Sequence, residues 1–161
     1  MSTKSIERAL ESTCQIWICP ISKKNLKHSI DNKMNVGNGQ IAHAWAFNKK
    51  FMKKWEKMKE GDICLFGKSE ENYTRAAIVI KKIDISQLDH WPYRGEDGKT
   101  EWSWGFFLSG PLVINIEYKT LMKNVRQKRF STQTLLDNNC AKNVKQLIKE
   151  YLDDETVRNS K

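Results

Sequence analysis

Residues 41–69, IAHAWAFNKKFMKKWEKMKEGDICLFGKS, hold the pattern that decides the fold. Phe51, Trp55 and Met58 recur at the spacing of one helix face, and lysines cover the rest of that helix. A Gly-Asp pair at 61–62 ends the helix, and the short apolar run after it is bounded by a glycine, as a buried strand is. The stretch therefore predicts a loop, a basic helix, a tight turn and a strand.

Two polar or aromatic side chains stand just ahead of this helix. Trp45 offers a large flat π-surface, and the amide of Asn48 carries both a donor and an acceptor. That amide can read the edge of a nucleic-acid base, or it can cap the helix. The residues alone favour neither interpretation of Asn48.

Composition indicates one basic domain. The chain has 161 residues, with 28 Lys and Arg against 19 Asp and Glu, a formal net charge of +9 and a pI near 9.4. This charge suits a polyanionic partner, of which nucleic acid is the first candidate. Six tryptophans accompany it, and cationic plus aromatic side chains are the combination that holds phosphates and stacks bases.

Several classes of protein are disfavoured. The four cysteines lack the spacing of a zinc site, so we expect free and mostly buried thiols, no metal and no cofactor. The sequence has no GxSxG motif, phosphate-binding Gly-rich loop, HExxH motif or Cys-His pair at a meaningful spacing, so we expect no enzymatic activity. No segment approaches the ~18 consecutive apolar residues of a membrane helix, and the N-terminus lacks a secretory apolar region. We expect an intracellular protein without membrane contact.

The rest of the chain predicts an α+β domain with a mixed, curved sheet or small barrel and two to three packed helices. We expect an N-terminal arm at 1–12, the nucleic-acid-binding domain at 13–152 and a flexible tail at 153–161. The predicted elements are a weak helix at 3–12, strands at 13–21, 73–85, 101–108 and 112–118, a loop with room for one helical turn at 22–40 and an amphipathic helix at 140–152.

Some aromatic residues occur in a predicted surface loop, where packing in a hydrophobic core does not account for them. The stretch 90–100, HWPYRGEDGKT, has the Pro, Gly and charge content of an exposed loop, yet it contains Trp91 and Tyr93. In the strand that follows, alternation places Trp102 and Trp104 on one face with Phe106.

Three segments together resemble the EVE and YTH branches of the PUA-like superfamily. The first has the EVE order of a Trp and an Asn ahead of a helix, then Met-Lys-x-Gly-Asp and an aromatic strand that ends near a Ser. Its matching residues here are Trp45, Asn48, Met58 to Asp62, Phe66 and Ser69. The segment 129–133, RFSTQ, is similar to Arg-Leu-Ser-Val-Gln of EVE domains and Arg-Asp-Thr-Gln of YTH domains, and 104–111, WGFFLSGP, looks like a YTH strand.

This resemblance implies a reader of a modified base in DNA or RNA, such as 5-methylcytosine or N6-methyladenine. A flipped base would lie between Trp45 and a second wall, Trp91 or Trp102, with Asn48 bonded to its edge. Ser69 and Ser131 would complete the pocket. EVE-like domains also occur at the N-terminus of McrB-type modification-dependent restriction proteins, so the resemblance implies fused or bound effector domains as partners.

Cationic side chains near these segments would bind phosphates without reading sequence. The expected phosphate contacts are Lys49, Lys53, Lys54, Lys68, Arg126, Lys128 and Arg129. A solvated helix face is the other interpretation of each lysine.

Two other classes of function stay open. One is an enzyme of nucleotide or RNA metabolism on a related fold, using Asp84, Asp89 or Lys68. The other is an interaction domain whose exposed aromatic side chains bind a peptide.

Overall fold

The computed structural model describes residues 3–88, 91 and 102–159, and within them the chain is α+β with a mixed, curved sheet. Asp89, Tyr93 and most of the predicted aromatic loop lie outside these residues. The strands are β1 (Ile16–Pro20), β2 (Met34–Gly37), β3 (Gln40–Phe47), β4 (Ile63–Gly67), β5 (Tyr73–Asp84), β6 (Trp104–Leu108), β7 (Leu112–Ile116) and β8 (Thr134–Leu135). The α-helices are α1 (Thr3–Glu11), α2 (Lys23–Asn25), α3 (Met52–Lys57), α4 (Tyr118–Val125) and α5 (Asn138–Asn159), with a π-helix at Leu26–Asp31 and 3₁₀ turns at Lys49–Phe51 and Ile85–Gln87.

The eight strands of the described residues form one sheet. Its order is β2-β3-β6-β5-β4-β1-β8, and β7 pairs with the first part of β5. Only β1 and β4 pair in parallel among the described strands, which is why the sheet is mixed. β5 carries an irregularity between Val79 and Lys81 where it pairs with β6, and such bulges bend a strand.

The curved sheet separates three apolar clusters. The helical core lies under α1, α4 and α5 and receives Ile16, Ile18 and Leu65. The central core takes the alternate residues of β1 and β4, including Trp17 and Phe66, together with inward residues of β3, β5 and β6. A third group, here called the Trp91 cluster, contains Val36, Ala44, Ala46, Ile83, Ile85, Leu88, Trp91 and Phe107.

Strand β4 shows why its sequence is a continuous apolar run. Ile63 and Leu65 face the helical core, whereas Cys64 and Phe66 face the central core. A strand that is covered on both faces has no solvent side to make polar, so the run is unbroken. The predicted strand is confirmed. All four cysteines are unpaired, and three are buried, as predicted.

A buried carboxylate fixes the turn between α3 and β4. Asp62 is 2% exposed. Its side chain accepts from Trp17 Nε1 at 3.0 Å, from Lys59 N at 2.9 Å and from both the backbone and side-chain nitrogens of Gln15. Gly61 has φ +93°, a conformation that glycine adopts without strain. The Gly-Asp pair therefore ties the end of the helix to β1.

Four predicted segments differ from the observed elements. Residues 41–47 form β3, so the predicted loop ahead of α3 is wrong. The predicted loop at 22–40 contains α2, the π-helix and β2. Helix α5 continues to Asn159, so 153–159 is helical rather than a flexible tail. Helix α1 packs Ile6 and Leu10 into the helical core, although an arm is predicted there.

Candidate nucleic-acid interface

Trp45 and Trp102 lie against each other at one end of β3 and β6. Trp45 is on β3 opposite Phe106, and it is 7% exposed. Trp102 precedes β6 and is half-buried. Their ring centroids are 6.0 Å apart with an interplanar angle of 39°. Since two stacking gaps of about 3.5 Å require roughly 7 Å between parallel rings, the pair is about 1 Å too close to hold a third ring.

Trp91, the other predicted wall, is a core residue here. Its side chain is 1% exposed within the Trp91 cluster, whose members include Ala44 and Phe107. Trp102 packs against this same cluster. The structure therefore brings Trp102 into contact with Trp45, and it places Trp91 in the cluster against which Trp102 packs.

Asn48 caps the 3₁₀ turn that precedes α3. Its side-chain oxygen accepts from the backbone nitrogen of Lys50 at 3.2 Å, at the start of the 3₁₀ turn Lys49–Phe51. The capping interpretation of Asn48 is thus the one observed. Asn48 directly follows β3 in the chain, so it is three residues from Trp45.

The segment 129–133 returns to the same region through several hydrogen bonds. The ammonium of Lys54 donates to Thr132 Oγ1 at 3.0 Å and to the carbonyl of Gln133 at 2.9 Å. The buried amide of Gln133 donates to the carbonyl of Ala46 at 3.1 Å, and Ser69 Oγ donates to the carbonyl of Phe130 at 3.1 Å. Two segments far apart in sequence therefore form one surface, with Ser131 exposed between these contacts.

The predicted phosphate-binding side chains differ in their surroundings. Partial burial lowers the pKa of Lys54, because the charged form loses solvation. Lys68 lies 3.7 Å from the carboxylate of Glu71, in a surface ion pair. The remaining members are exposed, namely Lys49, Lys53, Arg126, Lys128 and Arg129. Lys49 and Lys53 adjoin Asn48 and Lys54, and Arg129 adjoins Phe130. Arg126 instead lies beside Asp137 and Cys140, at the start of α5.

A second pair of tryptophans lies beside these residues. The sequence pattern does not predict that this pair belongs to the candidate site. Trp55 and Trp104 have ring centroids 5.1 Å apart at an angle of 35°. The ammonium of Lys82 lies 4.4 Å from the Trp55 ring centroid. The sequence places Trp55 on the apolar face of a helix and Trp104 on one face of a strand. The contact between the two rings depends on the pairing of β3 with β6, which the sequence does not predict.

Comparison with known proteins identifies the fold. The sequence matches no protein-family model and no curated protein. Among solved structures, the chain is similar to the N-terminal domain of Thermococcus gammatolerans McrB bound to m5C DNA, with a TM-score of 0.57 and 16% identity over 84% of this chain and 98% of that one. It is also similar to the YTH domain of Zygosaccharomyces rouxii MRB1 in complex with N6-methyladenosine RNA, with a TM-score of 0.56 and 12% identity over 86% of this chain and 88% of that one.

The chain has a PUA-like fold of the EVE and YTH type. This confirms the fold that the three short segments predict.

Other side chains of this PUA-like domain have structural partners. The carboxylate of Asp84, a candidate of the enzyme hypothesis, accepts from the backbone nitrogen of Ser86 at 2.9 Å and caps the turn Ile85–Gln87. Within the described residues no group of three or more His, Cys, Asp or Glu side chains is arranged to hold a metal ion. None of the helices there combines the length and the apolar character needed to cross a membrane.

Proposed function

We propose that this protein is a non-catalytic module that recognises a modified, methylated base in DNA or RNA. The base is flipped from its strand and enters between the indoles of Trp45 and Trp102. The observation that carries this proposal is the contact of these two rings at 6.0 Å on a PUA-like fold. Two solved structures of the same fold hold methylated DNA or RNA, as described above.

The pocket opens by movement of Trp102. The rings must separate by about 1 Å and become more parallel to accept a base. Trp45 is fixed by its place in the β3–β6 ladder, whereas Trp102 precedes β6 and is half-buried. Flipping costs a few kcal/mol, and stacking returns about 1–3 kcal/mol per base, so two indole faces roughly offset the cost.

The remaining predicted residues have supporting roles in this proposal. Trp91 holds the cluster on which Trp102 packs. Asn48, whose side-chain oxygen caps the turn at Lys50, would contact the base edge through its amide nitrogen. Ser131 would contact the base from the 129–133 segment, which Ser69 anchors through Phe130. Lys54 and the exposed cations Lys49, Lys53, Lys68, Arg126, Lys128 and Arg129 would hold phosphates.

Targeting within a modification-dependent restriction system is the finer form of this proposal. The fold likeness spans 98% of the McrB N-terminal domain, so a whole recognition domain of that kind fits within the chain. In that system an effector domain or partner would act on the nucleic acid, and this module would only choose the site.

A binding experiment tests the base-reading role. The parent protein is titrated with matched oligonucleotides that carry 5-methylcytosine, N6-methyladenine or no modification, by fluorescence anisotropy. One modified oligonucleotide should bind more tightly than its unmodified match. Trp102→Ala should remove this preference and leave weak, salt-sensitive binding, because the stacking wall is lost but the cations remain.

The control is Tyr151→Ala, which removes a half-buried aromatic ring that packs against the helical core instead. That variant should keep the preference. Equal discrimination by the parent and Trp102→Ala would reject the pocket, and equal binding of all oligonucleotides by the parent would reject the function.

A further inference from the structure

The pair Trp55 and Trp104 forms a second aromatic surface next to the proposed pocket. Trp55 lies on α3 and Trp104 begins β6, and both are half-buried, so each ring keeps part of its surface in solvent. With Phe51 they pack against the central core, at its rim. We call Trp55, Trp104 and the neighbouring lysines Lys50 and Lys82 the rim platform.

Hydrogen bonds fix the orientation of both indoles. Trp55 Nε1 donates to the carbonyl of Gly105 at 2.8 Å, and Trp104 Nε1 donates to the carbonyl of Lys49 at 3.1 Å. The polar edge of each ring is therefore turned toward the protein backbone. Rings held in this way present their apolar surfaces without the entropy loss of ordering them on binding.

Two lysine ammonium groups lie close to aromatic rings of this region. The ammonium of Lys82 lies 4.4 Å from the centroid of Trp55, and that of Lys50 lies 5.2 Å from the centroid of Phe51. Partial burial lowers the pKa of Lys82, whereas nearby Glu56 and Asp62 oppose this effect. Aromatic faces with adjacent cations match the bases and phosphates of a nucleic-acid strand.

The strand register places the rim platform beside the pocket. Trp45 pairs with Phe106, and Phe47 pairs with Trp104, so Trp45 and Trp104 are diagonal neighbours on one face of the sheet. Diagonal neighbours are separated by roughly 7–8 Å. A strand whose modified base enters at Trp45 would therefore bring the adjacent nucleotide to Trp104.

We propose that the rim platform stacks the nucleotide next to the modified base, and that the ligand is single-stranded at this position. This inference rests on the proposed function for the placement of the modified base. In a duplex the neighbouring base stays paired with the other strand and stacked on its far neighbour, so it cannot turn out onto Trp104. Single-stranded DNA and RNA share the chemistry required, and both are included in the test.

The test uses unmodified single-stranded DNA and RNA, and the same DNA as a duplex, by fluorescence anisotropy. The parent should bind the single strands more tightly than the duplex. Trp104→Leu should weaken single-strand binding by roughly fivefold or more, because it removes a stacking face. Trp104→Phe should keep most of the affinity, since it retains a ring and loses only the N–H. The preference for a modified base should persist in both variants.

Lys82→Met supplies an independent variant, because it removes a charge and keeps an apolar stem. It should lower the slope of log affinity against log salt for single strands by about 0.7. Lys149→Met, which removes a half-buried lysine of α5, is the control and should leave the slope unchanged. If Trp104→Leu does not fold, the Lys82 variant decides the question.

The two proposals fail in different ways. Loss of the modified-base preference in the parent would reject the function proposed above, yet the unmodified strands would still report on the rim platform. Folded Trp104→Leu and Lys82→Met proteins that bind single strands like the parent would overturn the rim platform, and so would equal binding of single strands and duplex by the parent.

Discussion

Gln133 joins the two halves of the candidate interface through one buried amide. It is 5% exposed, its amide donates to Ala46 of β3, and its backbone carbonyl accepts from Lys54 of α3. Since Ala46 is next to Trp45 in sequence, this side chain ties the 129–133 segment to the wall of the proposed pocket.

Replacing Gln133 by Ala should therefore lower stability. The carbonyl of Ala46 would lose its buried donor, and such a loss costs about 1–3 kcal/mol. Urea unfolding should give this decrease in the free energy of unfolding. Gln127→Ala, at an exposed position, should change it by less than about 0.5 kcal/mol. Equal effects of the two changes would contradict the role of the buried amide.

Tyr73 should make the protein sensitive to alkaline pH. Burial raises the pKa of its phenol, with smaller contributions from Cys19 and Tyr118, whereas the unfolded value is about 10. The neutral phenol is required in the folded state, so stability is intact below pH 10 and falls as the pH rises above it.

The matching variant is Tyr73→Phe, which keeps the ring and removes the ionisation. Between pH 8 and pH 11 the parent should lose about 1.4 kcal/mol more of its unfolding free energy than this variant. Parallel pH profiles for the two proteins, measured by urea unfolding, would show that Tyr73 does not titrate on unfolding.

At the scale of elements, strand β3 organises both sides of the candidate interface. Its alternation sends Trp45 and Phe47 to the central core, and Ala44 and Ala46 to the Trp91 cluster. Because alanine has weak strand propensity, the sequence before α3 looked like a loop. Pairing with β6 overrides that preference and aligns Trp45 with the strand that follows Trp102.

Helix α1 should behave as part of the domain. Ile6 is fully buried in the helical core, so Ile6→Ala should reduce the unfolding free energy by about 2–5 kcal/mol. Glu7→Ala, one residue along and exposed, should have little effect. Thermal unfolding followed by circular dichroism measures both, and a parent-like Ile6→Ala protein would restore the predicted arm at 1–12.

At the scale of the whole molecule, the net charge of +9 should make nucleic-acid binding strongly dependent on salt. Affinity for an unmodified oligonucleotide should fall steadily from 50 to 200 mM salt, because phosphate contacts release counterions. The ratio of affinities for modified and unmodified oligonucleotides should change much less, since stacking in the pocket is not ionic. The absence of any salt-dependent affinity for nucleic acid would favour the peptide-binding hypothesis.

Sequence patterns predicted the helices and strands whose formation depends on residues close together in the chain. The apolar run of β4, the alternation of Trp104, Phe106 and Phe107 and the periodicity of α5 all correspond to observed elements. The site was predicted less completely. Asn48 has two chemically reasonable roles, and only the bond from Lys50 distinguished them. Trp91 looked exposed because its loop is polar, whereas the cluster around it comes from β2, β3, β5 and β6.

The sequence by itself determined a basic α+β domain of the PUA-like type, because charge, periodicity and short motifs are local properties. Only the tertiary structure decided that Trp102 meets Trp45, that Trp91 is buried in a core cluster, and that Trp55 meets Trp104. Those contacts depend on strand register and on which face of the curved sheet each ring occupies. A shift of one residue in the pairing of β3 and β6 would reverse the faces, and nothing in the local pattern excludes such a shift.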